Sequence, residues 1–213
     1  MNHSEEGLCK AVIIGLGADV PENFSVSEHA LVICADGGMK WAKKWGIVPD
    51  FVFGDFDSID DESKKFVETH RVKKYTFPVE KDKTDVELAV DYCIANGVSD
   101  VTLVGVWGGR IDHSLGNLEI LYKLGECGIN GRIKTREMTL EIINKSIVLE
   151  LVKGMNVSLI ALTKEVTGVS TKGLYYPLQE ATIMKGTTLG ISNQAISESV
   201  KITVNEGILL VIY

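Results

Sequence analysis

The sequence predicts an α/β domain with a doubly wound parallel sheet, followed by an all-β domain built as an antiparallel β-sandwich. Three observations carry that reading. Short continuous apolar runs ending in Gly or Asp alternate with helical patterns through residues 1–133. From 134 to 213 polar residues alternate with β-branched and apolar ones. Asn144, Gly154, Gly168, Gly173, Gly186 and Gly207 punctuate that second part at short intervals, as the turns of a sandwich or open barrel require.

The elements follow in order. "AVIIGLG" (11–17), "ALVICADGG" (30–38), "DFVFGD" (50–55) and "VTLVGVWGG" (101–109) are strands buried on both faces, and "KKYTFP" (73–78) is a further strand. Between and after them, "MKWAKKWG", "DDESKKFVETH", "TDVELAVDYCIANG" and "DHSLGNLEILYKLGECG" repeat apolar positions at three and four. Several end in the Gly expected beyond a helix. Strand–helix alternation of this kind makes βαβ units and a Rossmann-like sheet. The rhythm changes near residues 131–140, and "GRIKTREMTLEIINKSIVLELVKGMNVSLIALT", "EVTGVSTKGLYYP", "ATIMKGTTLGIS" and "ESVKITVNEGILLVIY" supply the β domain.

Composition narrows the function classes. The 213 residues carry net charge −7. This excludes general affinity for nucleic acid or an anionic membrane surface, though not for phosphate bound through a local loop or a metal. Cys9, Cys34, Cys93 and Cys127 are scattered without a CxxC pair, and the four His show no zinc spacing. The start of the chain lacks a signal-peptide pattern, and no apolar stretch is long enough for a bilayer. A soluble, cytoplasmic protein is expected.

In an open parallel sheet, ligands bind beyond the carboxyl ends of the strands. Asp36, Asp55, Asp57, Asp85 and Asp112 all fall at such ends. Each has an ordinary structural alternative, because Asp favours turns and helix starts, and Thr84-x-x-Glu87 matches a capping box. The pair Asp55 and Asp57 is harder to explain that way. Two carboxylates in a loop raise each other's pKa unless a cation joins them, and Mg²⁺ takes carboxylate oxygens together with substrate phosphates. A metal–phosphate site is therefore expected. Gly15-Leu16-Gly17 opens like a dinucleotide fingerprint but lacks the third Gly, and no Walker A sequence is present.

"ADGG" (35–38), "PDFVFGDFDSI" (49–59), "KDKTD" (81–85), "GGRIDHSLGN" (108–117), "GLYYPL" (173–178) and "GISN" (190–193) occur in one order. In that order the chain resembles the thiamine pyrophosphokinases over nearly its whole length. The resemblance implies Mg²⁺-dependent transfer of a pyrophosphoryl group from ATP to thiamine, giving thiamine diphosphate and AMP. It implies that Asp55, Asp57 and Asp85 form the metal end of the site. Together with Asp112 they make the catalytic set, Asp112 also facing cationic thiamine. Asp36, Lys81 and Thr84 match nucleotide-side positions, and Ser192 and Asn193 match a thiamine-recognition segment. Tyr176 stands where the animal enzymes of the family carry a Trp against thiamine. The family is homodimeric, thiamine lying where one subunit's nucleotide domain meets the other's β domain. The residues themselves add Gly37-Gly38 for close backbone approach to phosphate and Arg110 as a cation for the triphosphate, with a surface salt bridge as the alternative for Arg110. They leave the general base open between Asp85, Asp112 and a metal-activated hydroxyl. Two other classes stay open on residues alone: a Mg²⁺-dependent phosphohydrolase with Asp55 as nucleophile, and a thiamine- or nucleotide-sensing module.

Overall fold

A computed structural model of the chain describes residues 10–54, 60–76 and 82–213, with Asp36 described by its backbone alone. The chain divides into two compact units, Met1–Glu137 and Met138–Tyr213.

Among the described residues the first unit holds six strands: β1 (Lys10–Ile14), β2 (Leu31–Ala35), β3 (Phe51–Gly54), β4 (Lys73–Thr76), β5 (Asp100–Val104) and β6 (Asn130–Lys134). Every neighbouring pair is parallel, in the order β6-β5-β1-β2-β3-β4. The four helices are α1 (Met39–Trp45), α2 (Asp61–Thr69), α3 (Asp85–Ala95) and α4 (Ile111–Glu126). Side chains alternate faces along each strand, so Val12 and Ile14, Val32 and Cys34, and Val52 share one face. Met39 and Ala42 of α1 and Val67 of α2 pack there. The opposite face presents Phe51 and Phe53, whose rings meet Tyr92 of α3 at 5.3 and 5.6 Å between centroids. Burying each such side chain contributes about 1.5–3 kcal/mol, so this two-faced cover dominates the stability of the sheet.

The helix ends follow from local chemistry. Asp60 caps α2, its Oδ1 accepting from the Ser63 amide at 2.7 Å. Gly46 closes α1 in the left-handed conformation, at φ 68°. β4 is exposed along its length, as an outer strand rich in Lys can be.

The second unit holds β7 (Thr139–Ile143), β8 (Ser146–Glu150), β9 (Asn156–Ala161), β10 (Glu165–Lys172), β11 (Ala181–Met184), β12 (Asn193–Gln194), β13 (Ser199–Thr203) and β14 (Leu209–Ile212). Two antiparallel layers form, β12-β9-β14-β7 and β11-β10-β13-β8. Leu159 and Leu209 from one layer and Val169, Ile183 and Val200 from the other share one buried cluster, which makes the unit a β-sandwich. Among the described residues no helix is long and apolar enough to cross a membrane.

Candidate active site

The strand order reverses direction between β1 and β5: β2, β3 and β4 lie to one side, β6 to the other. Such a switch point opens a crevice at the carboxyl ends of the strands. Its floor is main chain. Beyond the strands the two segments stay joined, the Gly15 amide donating to Val104 O at 2.8 Å and the Gly17 amide to Gly105 O at 2.5 Å. A Cβ on Gly15 would lie 2.5 Å from Gly105 O, so only glycine permits this approach. Trp41 of α1 fastens the same floor, its Nε1 donating to Gly17 O at 3.1 Å. Asp36, Gly37 and Gly38 form a single 3-10 turn directly after β2. A Cβ on Gly38 would run into Ile14 O.

On the β5 side, Gly108 and Gly109 take φ of 79° and 81° in the loop that leads into α4. Two polar residues on the inner face of α4 hold this loop. The buried Asn117 donates through Nδ2 to Val106 O at 2.7 Å. Ser114 Oγ accepts from the Gly108 amide and donates to Arg110 O, both at 3.1 Å. Neither residue was anticipated as part of the site. The available signal was a polar pair three apart within the buried stripe of a helix, where polar groups need partners.

Arg110 is the residue before α4, and its guanidinium pairs with Asp112, Nη2 to Oδ2 at 2.5 Å and Nε to Oδ1 at 3.2 Å. The hydrogen bond from Arg110 pulls the Asp112 pKa down to about 2, and Asp112 raises that of Arg110 in return. Thr84 caps α3, its Oγ1 accepting from the Glu87 amide at 3.2 Å, which bears out the capping role of Thr84, while the Glu87 carboxylate pairs with Lys123 at 3.0 Å. Asp85 is the first residue of that helix. Between α3 and α4 lies a cleft of about 440 Å³ whose walls include Thr84, Glu87, Asp112, His113 and Lys123. Thr84 and Asp112 thus share one cleft.

Asp55, Asp57 and Lys81 lie outside the described residues, as does the side chain of Asp36. β3 runs to Gly54, the residue before Asp55. Among the described residues no group of three His, Cys, Asp or Glu side chains is placed to hold a metal ion. The carboxylates singled out at the carboxyl ends of β3 and at the start of α3 are hard oxygen donors, a set that suits Mg²⁺ rather than a softer metal.

In the β-sandwich, Tyr175 and Tyr176 are exposed and pack edge to face, 4.8 Å between ring centroids. Ser192 takes a positive φ of 58°, its amide donating to Ser158 Oγ at 3.0 Å. Asn193 is buried, and its amide is engaged with the main chain of Tyr176.

The pattern described as "Thiamin pyrophosphokinase, catalytic domain" matches residues 24–132, and "Thiamin pyrophosphokinase, vitamin B1 binding domain" matches residues 141–209. A thiamine pyrophosphokinase of Bacillus subtilis (strain 168) is 31% identical over 188 residues, covering 87% of each chain. The crystal structure of thiamine pyrophosphokinase from Bacillus subtilis superposes with a TM-score of 0.83 at 28% identity, covering 95% of this chain and 98% of the other. That of the Geobacillus thermodenitrificans protein gives 0.79 at 30% identity, covering 95% of both.

Proposed function

We infer that this chain, which belongs to the thiamine pyrophosphokinase family, is an enzyme that transfers the pyrophosphoryl group of ATP to thiamine, yielding thiamine diphosphate and AMP. The observation that carries the reading is the ordered match of a catalytic pattern to residues 24–132 and a vitamin B1 binding pattern to residues 141–209.

The geometry of the first unit supports a phosphate-handling role. Gly109, beside which an added Cβ would meet open space, leaves main chain of the loop into α4 bare for phosphate oxygens. We assign the nucleotide side to Asp36, Gly37, Gly38, Lys81, Thr84 and Arg110. Asp55, Asp57 and Asp85 would hold Mg²⁺. When bound, Mg²⁺ neutralises charge on the phosphate oxygens as the bond to AMP breaks. In the transfer, the thiamine hydroxyl oxygen bonds to the β-phosphorus, the bond from that phosphorus to the AMP oxygen breaks, and the hydroxyl proton passes to a base. Asp85 and Asp112 are the candidate bases. The Arg110 pair holds the Asp112 pKa low, which suits a partner for cationic thiamine and makes Asp112 the weaker of the two candidate bases.

Tyr176, with the Ser192–Asn193 segment, is assigned to thiamine: an exposed aromatic face attracts a cation. The homodimer implied by the family resemblance and a cytoplasmic location belong to the same proposal. Cys34 and Cys93 fit a reducing compartment, being buried free thiols among the described residues.

Purified protein given ATP, Mg²⁺ and thiamine should release AMP and thiamine diphosphate in equal amounts. ADP or free phosphate as the product overturns the reading, in favour of simple phosphoryl transfer or hydrolysis. Binding of both substrates without turnover favours a sensing module.

A further inference from the structure

The family resemblance places Asn193 in a thiamine-recognition segment. Its surroundings give it different work. The residue is 3% exposed. Its Oδ1 accepts two amides, Tyr176 and Gln194, each at 2.9 Å, which uses both lone pairs of that oxygen. Its Nδ2 donates to the Tyr176 carbonyl at 2.7 Å. One side chain therefore holds both main-chain groups of Tyr176, as a neighbouring strand would.

The main chain shows why this hold matters. The segment before Tyr176 runs antiparallel to the segment after Asn193. Ile196 donates to Gly173 O at 2.8 Å, Leu174 and Ala195 are bridged, and Tyr175 donates to Gln194 O at 2.8 Å. That main-chain pairing reaches Tyr175, and at Tyr176 the Asn193 side chain takes its place. Tyr176 projects an exposed ring beyond the last main-chain rung, edge to face with Tyr175. Without the Asn193 amide, the Tyr176 main chain loses the two bonds that continue the ladder.

We propose that Asn193 is a positioning residue that acts on thiamine through Tyr176, fixing the main chain from which the aromatic face is presented, and makes no direct contact with the substrate. This rests on the reading of Tyr176 as the thiamine-facing aromatic. A residue so occupied has no free acceptor for a ligand. The Asn amide supplies the acceptor and the donor that this hold needs on one short rigid plane.

The test is a double-mutant cycle on the full chain, with Asn193→Ala, Tyr176→Ala and the pair. Steady-state kinetics for thiamine and ATP are joined to hydrogen–deuterium exchange of peptides covering Tyr176. Asn193→Ala should speed exchange at Tyr176 and raise the thiamine KM by about tenfold, the scale expected for losing two buried hydrogen bonds. The ATP KM should stay within about twofold. In the Tyr176→Ala background the Asn193 substitution should add nothing, since coupled residues are not additive. Effects that multiply in the double variant overturn the inference, because they mean Asn193 meets thiamine itself. Faster exchange with an unchanged thiamine KM overturns it equally. If Asn193→Ala fails to fold, Asn193→Asp decides, because it retains the oxygen acceptor and loses the donor to Tyr176 O. Wild-type protein that makes no thiamine diphosphate overturns the underlying functional reading, whereas an active wild type with multiplying effects overturns only this step.

Discussion

Gly15 and Gly105 meet across the seam between β1 and β5 so closely that a Cβ on Gly15 would lie 2.5 Å from the Gly105 carbonyl oxygen. The relation is reciprocal, since a Cβ on Gly105 would strike Gly15 O, and Gly105 itself sits at a φ of 65°. Gly105→Ala therefore meets two penalties, a left-handed backbone and a main-chain clash. Together they should cost about 2–5 kcal/mol. The urea midpoint of the variant should fall sharply, and a midpoint equal to wild type would show that the seam relaxes freely.

Asn117 is the only group bonded to Val106 O among the described hydrogen bonds, at 2.7 Å. Asn117→Ala leaves a buried carbonyl short of its partner, at about 1–3 kcal/mol. The loop it releases carries Gly108 to Arg110. We expect the ATP KM to rise by about tenfold as that loop loses its preset shape. Unfolding and kinetics measured side by side check this, and a stability loss with unchanged ATP kinetics would confine Asn117 to structure.

The Arg110–Asp112 pair predicts a pH signature. Asp112 titrates at about 2 in the folded chain, below the roughly 3.9 of an unfolded Asp. A lowered folded pKa stabilises the fold above the unfolded value, and that contribution fades as pH falls toward the folded one. Both groups are exposed and screened by water, so the titration is best followed at Asp112 itself. Arg110→Ala should raise the midpoint of the Asp112 ¹³Cγ resonance toward 3.9. A midpoint that stays near 2 would remove Arg110 as the cause.

Tyr176→Ala should weaken thiamine use and spare ATP. An exposed cation–π contact is worth about 0.5–2 kcal/mol, so the thiamine KM should rise roughly 2- to 30-fold. Equal losses for both substrates would contradict the assignment.

On the proposed metal set, Asp57→Asn should lower turnover and raise the Mg²⁺ concentration needed for half-maximal rate, because it would remove a charged oxygen ligand. Kinetics at limiting Mg²⁺ that match wild type would take Asp57 out of the metal set.

Strands β1, β2, β3 and β5 of the first unit were legible because they are buried on both faces, so runs such as Leu31–Ala35 stay apolar throughout. Thr84 at the start of α3 was legible for a local reason, since a capping box spans only four residues. β6 was less visible. Its burial alternates along Asn130–Lys134, so it resembles the pattern of the β domain although it runs parallel to β5. Ser114 and Asn117 escaped notice because their partners, Gly108 and Val106, are reached only once α4 folds back beside the loop. The hold of Asn193 on Tyr176 spans 17 residues, and no local rule links two such positions.

The glycine floor of the crevice has a consequence for how the protein could diversify. Where neighbouring chain segments touch through main chain alone, no substitution can reshape the surface gradually, because the smallest added carbon already collides. That part of the pocket is inherited whole or lost. Change in the first unit is left to positions such as Arg110 and Asp112, whose side chains stand in open solvent. Variation there can proceed while the glycine seam beneath stays constant.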